Sequence, residues 1–268
     1  MKTLKHITVL CIVCTLIITV SHCKSDPFKD VGDELSQNPL TRSGEQEWDY
    51  PVKPGMAEWN SLQTENERIA AEQVPESVLA TLSPDEAVRL CITLPAAGNF
   101  IAWSPPQRGF NVMLERYNIL RHIVEREDAG GSLIAAYKDA SLSGFKTLPY
   151  SNEFWSLKLF YLELLLSQKE ILQKMTPAQK LELITEARTK YFEKLGNEDF
   201  ASLPELLFSL RIMATILDLE GYPELMVSPD RETITEFLNT GWFLDKPIPI
   251  EEIGGMIDNY INSKNQIQ

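Results

Sequence analysis

From Thr64 to the end of the chain, apolar residues recur at the helical spacing of three and four, and no convincing alternation of period two is present. The cleanest case is 203–217, where Leu203, Leu206, Leu207, Leu210, Met213, Ala214 and Leu217 fall on one face. Residues 152–174 are apolar nearly all round (Phe154, Trp155, Leu157, Leu159, Phe160, Tyr161), which predicts a central, buried helix. Within it Ser156, Glu163, Ser167, Glu170 and Lys174 line one stripe, which predicts a narrow wet edge.

Cap signals punctuate this pattern. Thr64–Glu67, Ser83–Glu86 and Thr176–Gln179 are capping boxes, in which a hydroxyl accepts from the N3 amide and the N3 side chain reaches back. Pro84 and Pro177 stand at N1, where a missing N–H costs nothing. Ser202 and Ser228 open two further helices, and Pro95, Gly196, Gly221 and Gly241 are stop signals. Gly130-Gly131 is read as a separator between helices. The Ser/Thr-Pro starts at 83, 176 and 228 give no fixed repeat. The expectation is an all-α fold, an irregular helical bundle or short α–α superhelix of about nine helices, with little or no sheet.

The first 63 residues differ. Lys2 and Lys5 precede Ile7–Val20, 14 uncharged and mostly apolar residues. That length suits a signal-peptide core and falls short of the about 20 residues a spanning helix needs. The core ends in Val20-Ser21-His22-Cys23, which resembles the lipobox of bacterial lipoproteins, with His22 as a departure from its small-residue pattern. The resemblance implies cleavage before Cys23 and acylation of its thiol. Two rivals stay open: ordinary secretion, with cleavage at Thr19-x-Ser21 or Ser21-x-Cys23, and an uncleaved anchor.

The resulting division is a signal peptide at 1–22, a flexible tether at 23–47, an extended aromatic and proline-rich arm at 48–63, and a helical domain at 64–268. Residues 24–47 are polar and, as a coil, would span roughly 27 Å root-mean-square. The arm carries Trp48, Tyr50, Pro51, Pro54 and Trp59, either strapped onto the domain or offering aromatic faces to a ligand. Tyr50-Pro-Val-Lys-Pro-Gly55, Glu58-Trp59, Val74–Leu79 and Leu82–Glu86 together resemble a pattern of uncharacterised helical envelope proteins of Bacteroidetes-type bacteria. The likeness covers residues 50–95 best. It implies a helical exported protein and carries no activity and no catalytic residues.

Charge narrows the partners. With Lys2 and Lys5 removed, 23 basic residues face 38 acidic ones, a net charge of −15. No basic block is present, so the chain is a poor nucleic-acid binder. An acylated Cys23 would leave Cys91 without an intramolecular disulfide partner, so the fold must rest on core packing.

The catalytic kit is thin. Of three histidines, His6 and His22 leave with the signal, and His122 is read as a solvated side chain sharing a polar face with Glu115, Asn118 and Arg126. Cys91 is read as a small buried apolar residue of an amphipathic helix. One Cys and one His cannot close a zinc shell without carboxylates. There is no phosphate loop, no dinucleotide fingerprint and no calcium-loop order, so no cofactor and no metal are expected. Glu251-Glu252 is read as first-turn charge opposing a helix dipole.

Pro95–Gly109 is read as a non-helical connection carrying Phe100, Ile101 and Trp103. The sequence therefore points to a membrane-tethered envelope lipoprotein acting as an interaction or scaffold module, on the outer rather than the inner membrane, and leans away from an enzyme. One alternative is a glycan- or peptide-binding lipoprotein using Trp103 first, then Trp48, Tyr50, Trp59 and Phe100. Another is a carboxylate-based envelope hydrolase, for which no acid pair stands out.

Overall fold

The computed structural model describes residues 47–140, 142, 152–197, 203–242 and 246–266. Residues 1–46, on which the expected signal peptide, Cys23 and most of the expected tether fall, lie outside the described residues, as do the side chains at 152–156 and 203–204. The described residues are helical throughout their regular elements and contain no strand. They comprise α1 (Ala57–Ser61), α2 (Glu65–Ala71), α3 (Glu76–Leu79), α4 (Pro84–Ile92), a 3-10 turn (Ala97–Ala102), α5 (Pro106–Arg116), α6 (Asn118–Glu125) and α7 (Ala129–Asp139). The second half holds α8 (Asn152–Leu166), α9 (Lys169–Leu172), α10 (Pro177–Leu195), α11 (Leu203–Leu219), α12 (Pro223–Met226), α13 (Arg231–Thr240) and α14 (Ile250–Asn265).

The expected count of about nine gives way to 14 α-helices among the described residues. Four of the additional ones, α1, α3, α9 and α12, are four or five residues long. A single turn has no second turn on which a 3.6 period can show. Another break falls inside an apparently continuous pattern. Tyr117 is extended (φ −111°, ψ 119°) and divides α5 from α6. Its neighbour Asn118 clasps the chain before α3: its side-chain amide donates to Val74 O (2.6 Å) and its Oδ1 accepts from Val74 N (3.1 Å). Gln73 Nε2 donates to Arg116 O (3.1 Å) and Gln73 Oε1 accepts from Asn118 N (3.2 Å), so the groups orphaned by the break find partners. Gly130-Gly131 separates nothing; both residues lie in the first turn of α7. Pro95–Gly109 is not wholly irregular either, since it contains the 3-10 turn and the start of α5.

The cap chemistry follows the sequence. Ser83 and Thr176 form complete capping boxes with Pro at N1, and Thr64 and Glu67 exchange the same pair of bonds. Gly241 closes α13 at φ 72°, a left-handed conformation that favours glycine.

Two compact units divide the chain. Within Pro51–Arg68, belonging to the first, Trp59 is buried and the Arg68 guanidinium lies 5.8 Å from its ring centroid. The second comprises Glu45–Tyr50 and Ile69–Gln268. At its centre α11 packs against α8, α10, α13 and α14. Residues 205–217 of α11 are all buried, polar Ser209, Arg211 and Thr215 included. The 3-10 turn packs on α5 so closely that a Cβ on Gly109 would lie 2.1 Å from Phe100 O.

The expected wet edge is dry at Glu163 and Ser167, whereas Glu170 of α9 is exposed and Lys174 is half-buried. Glu163 is fully buried, and Ser167 is 1% exposed. Lys194 of α10, also fully buried, shares its three N–H groups among four acceptors: both Glu163 carboxylate oxygens (2.7 and 2.6 Å), Glu205 O (3.0 Å) and Ser209 Oγ (2.9 Å). Tyr137 of α7 and Ser209 of α11 donate to Glu163 Oε1 (2.7 and 2.6 Å). Burial alone pushes the Lys194 ammonium toward its neutral form, and the Glu163 carboxylate opposes this. With that partner at 2.6 Å the charged pair is the arrangement the geometry supports.

A buried ion pair is replaceable as a pair but not singly, because losing one partner strands the other charge. Lys194→Met is therefore expected to cost about 3–5 kcal/mol in urea denaturation. Glu163→Leu combined with Lys194→Met is expected to cost less than Lys194→Met alone. A single-variant loss below about 1 kcal/mol would contradict the charged network.

Candidate functional site

A solvent-open cleft of about 220 Å³ lies among the described residues of the second unit. One face of α5 supplies Gln107, Phe110, Asn111 and Leu114, at spacings of three and four that place them in a row. Val124 comes from α6, and Ser167, Gln168, Lys169 and Glu170 from the end of α8 and the start of α9. Arg211 of α11 and Leu238 and Asn239 of α13 complete the lining.

Arg211 dominates the electrostatics. It is 3% exposed, and burial lowers its pKa to about 10. Its Nε and Nη2 donate to Leu238 O (3.1 and 2.8 Å), one of the carbonyls left open at the C-terminus of α13. The negative end of that helix dipole offsets part of the positive charge. Nη2 also donates to Gln107 Oε1 (2.6 Å). Nη1 has no hydrogen-bond partner among the described residues and faces Gly241, where a Cβ would lie 3.1 Å away. Every acceptor recorded for this buried cation is neutral: a carbonyl oxygen and an amide oxygen.

The amides around Arg211 are cross-linked. Gln107 Nε2 donates to Asn111 Oδ1 (2.8 Å) and to Gln168 Oε1 (2.9 Å), and Gln168 Nε2 donates back to Gln107 Oε1 (3.2 Å). Lys169 is engaged by Asp218 (3.0 Å), which also accepts from Arg231 (2.5 Å). The hydrogen bonds to these two cations hold the Asp218 carboxyl below its usual range against the opposing effect of its partial burial.

The aromatic candidates are dispersed. Tyr50 is buried and donates from its hydroxyl to Leu90 O (2.9 Å), with its ring edge on Trp48 (5.2 Å between centroids). Phe100 is 1% exposed and stacks on Tyr161 (6.3 Å). With Trp59 also buried, these three rings fill space and offer no free face. Trp48 and Trp103 are half-buried. Trp48 O accepts from Arg89 Nη2 (2.8 Å), while the Arg116 guanidinium lies 5.9 Å from the Trp103 ring centroid. The neighbouring Ile101 is 60% exposed. The structure brings none of these aromatics into the Arg211 cleft.

His122 is half-buried rather than fully solvated, and the break at Tyr117 removes Glu115 from its helix. Its Nε2 lies 3.2 Å from Arg126 Nη1, and burial, then Arg126, lower its pKa. Among the described residues, no three His, Cys, Asp or Glu side chains are grouped so as to hold a metal ion.

The residues that build the cleft, Gln107, Gln168 and Arg211, are not singled out by any catalytic or metal pattern in the sequence. One signal was present: Arg211 lies four residues after Leu207, on the edge of the apolar stripe of 203–217. No family model, curated protein or solved structure matches the chain.

Cys91 is fully buried, with Sγ 3.5 Å from the Tyr161 hydroxyl, and burial raises its thiol pKa from 9.0 to about 12. In the folded protein the thiol is expected to resist alkylation at pH 8 and to react at the ordinary rate in urea. Because the folded pKa is the higher one, this group's contribution to stability is complete below pH 9 and is lost as pH rises toward 12. Rapid native-state labelling would contradict the packing around Cys91.

Proposed function

We propose that the chain is a lipid-anchored protein of the bacterial cell envelope whose helical part acts as an interaction or scaffold module. The observation that carries this reading is the order of segments at the N-terminus: Lys2 and Lys5, the apolar run Ile7–Val20, Cys23, and a polar stretch to residue 47. Beyond it comes a helical body with an extensive buried core. That combination suits a module held clear of a membrane by a flexible tether. Among the described residues no helix is long and apolar enough to cross a membrane.

The outer membrane is the preferred destination in this reading, and the partner is a protein, peptide or glycan rather than a nucleic acid. A contact surface at the 3-10 turn is supported by the exposure of Ile101 beside half-buried Trp103. A charge of −15 after removal of residues 1–22 disfavours nucleic acid.

The test is mass spectrometry of the protein purified from envelopes. A mature chain beginning at an acylated Cys23 is expected, and Cys23→Ala should move the protein to the soluble envelope fraction. A mature N-terminus elsewhere, or an unmodified Cys23, would overturn the anchor.

A further inference from the structure

We infer that the cleft over Arg211 is a binding site for a small carboxylate with an aliphatic body, the carboxylate taking the place that Gln107 Oε1 now holds on the guanidinium. This inference is independent of the membrane anchor and of the partner-binding role proposed above.

Three observations converge on it. First, a guanidinium that is 3% exposed has no carboxylate in ion-pair contact among the described residues. A buried cation is costly unless an anion and a full set of hydrogen bonds accompany it. Elsewhere in the same unit that rule is kept, since fully buried Lys194 is paired with Glu163 at 2.6 Å. The helix end at Leu238 offsets only part of a unit charge. Second, Arg211 Nη1 is buried and without a hydrogen-bond partner among the described residues. A guanidinium can engage a carboxylate through two parallel bonds; Nη1 now faces Gly241, so pairing it with an anion in the cleft requires the guanidinium to turn away from that residue.

Third, the cleft matches such a ligand in polarity and size. Phe110, Leu114, Val124 and Leu238 present apolar surface beside the amides of Gln107 and Gln168, within about 220 Å³. That volume holds a short aliphatic acid rather than a nucleotide or an oligosaccharide. The Gln107 side chain is neutral, and although displacing its oxygen also breaks the bond from Gln168 Nε2, its amide nitrogen keeps two partners, Asn111 and Gln168. The cleft lining carries one exposed carboxylate, Glu170, beside the cations Lys169 and Arg211, so its own charge is not negative, and exposed charges farther off are screened beyond a Debye length of about 8 Å at physiological salt.

Two sources share this chemistry, a free acid and the C-terminal carboxylate of a peptide. Isothermal titration calorimetry of the full chain separates them, using butyrate, valerate and hexanoate in one arm. The other arm uses an N-acetylated tripeptide ending in leucine, with and without C-terminal amidation. Binding is expected for the acids or for the free-terminus peptide, with at least tenfold weaker binding for valeramide and for the amidated peptide. Binding by the peptide alone assigns the carboxylate to a chain end. Binding by the short acids alone assigns it to a free metabolite.

Gln107→Glu is the decisive variant, because it supplies an internal carboxylate at the position of the 2.6 Å contact. It should raise the melting temperature and weaken carboxylate binding at least tenfold. Leu114→Trp narrows the cleft without touching the guanidinium and should weaken binding with little change in melting. Equal affinity for acid and amide, no binding by any carboxylate probe, or undiminished binding in folded Gln107→Glu would overturn the inference.

Discussion

The fully buried ion pair between Glu163 and Lys194 constrains the rest of the second unit. Two charges have been removed from water where α8 meets α10, and neither can be left alone without a penalty of several kcal/mol. The surrounding structure answers with hydrogen bonds from four elements: Tyr137 of α7, Glu163 of α8, Lys194 of α10, and Ser209 with the Glu205 carbonyl of α11. Apolar surfaces can slide over one another at modest cost, whereas this constellation is satisfied in one register only. Nearby Lys190 repeats the device more loosely, donating to Ala140 O (2.7 Å), approaching Glu186 (3.3 Å) and lying 5.1 Å from the Tyr137 ring centroid.

The network shows which part of the fold was legible in sequence and which was not. Capping boxes at Ser83 and Thr176 were readable because both partners lie within four residues of each other. The all-α class was readable because the 3.6 period is also local. The stripe Ser156–Glu163–Ser167–Glu170–Lys174 was legible as polar, but not which members are dry: Glu163 and Ser167 are buried while Glu170 is exposed. A polar stripe faces either water or partners, and the partners of Glu163 lie 26 to 46 residues away in sequence. The helix count failed for a different reason. The break at Tyr117 leaves the apolar spacing nearly in phase, and only the distant Gln73–Val74 segment, clasped by Asn118, reveals it.

The same limit governs the cleft. Gln107 and Gln168 are unremarkable as letters and become informative once they meet over Arg211. Arg211 was the one anomaly within reach, a cation on the edge of an otherwise apolar stripe. The aromatic candidates mostly enter the core: Tyr50 ties the chain before the helices to α4, and Phe100 joins the 3-10 turn to Tyr161 of α8. The proposed interaction module on a tether and the proposed ligand cleft inside it are compatible roles. The first concerns where the helical body is held, the second what its interior polar groups still lack.

The central claim is that the buried pair makes α8, α10 and α11 one cooperative block. Hydrogen exchange on the native protein, read segment by segment, tests it most directly. Backbone amides of 159–166, 183–195 and 206–217 should form the slowest class, exchange with one common opening free energy, and shift together when urea is added. Exchange of 183–195 at a distinctly lower opening free energy, with the other two segments still protected, would mean that Lys194 can leave Glu163 without unfolding the core, and would contradict the account.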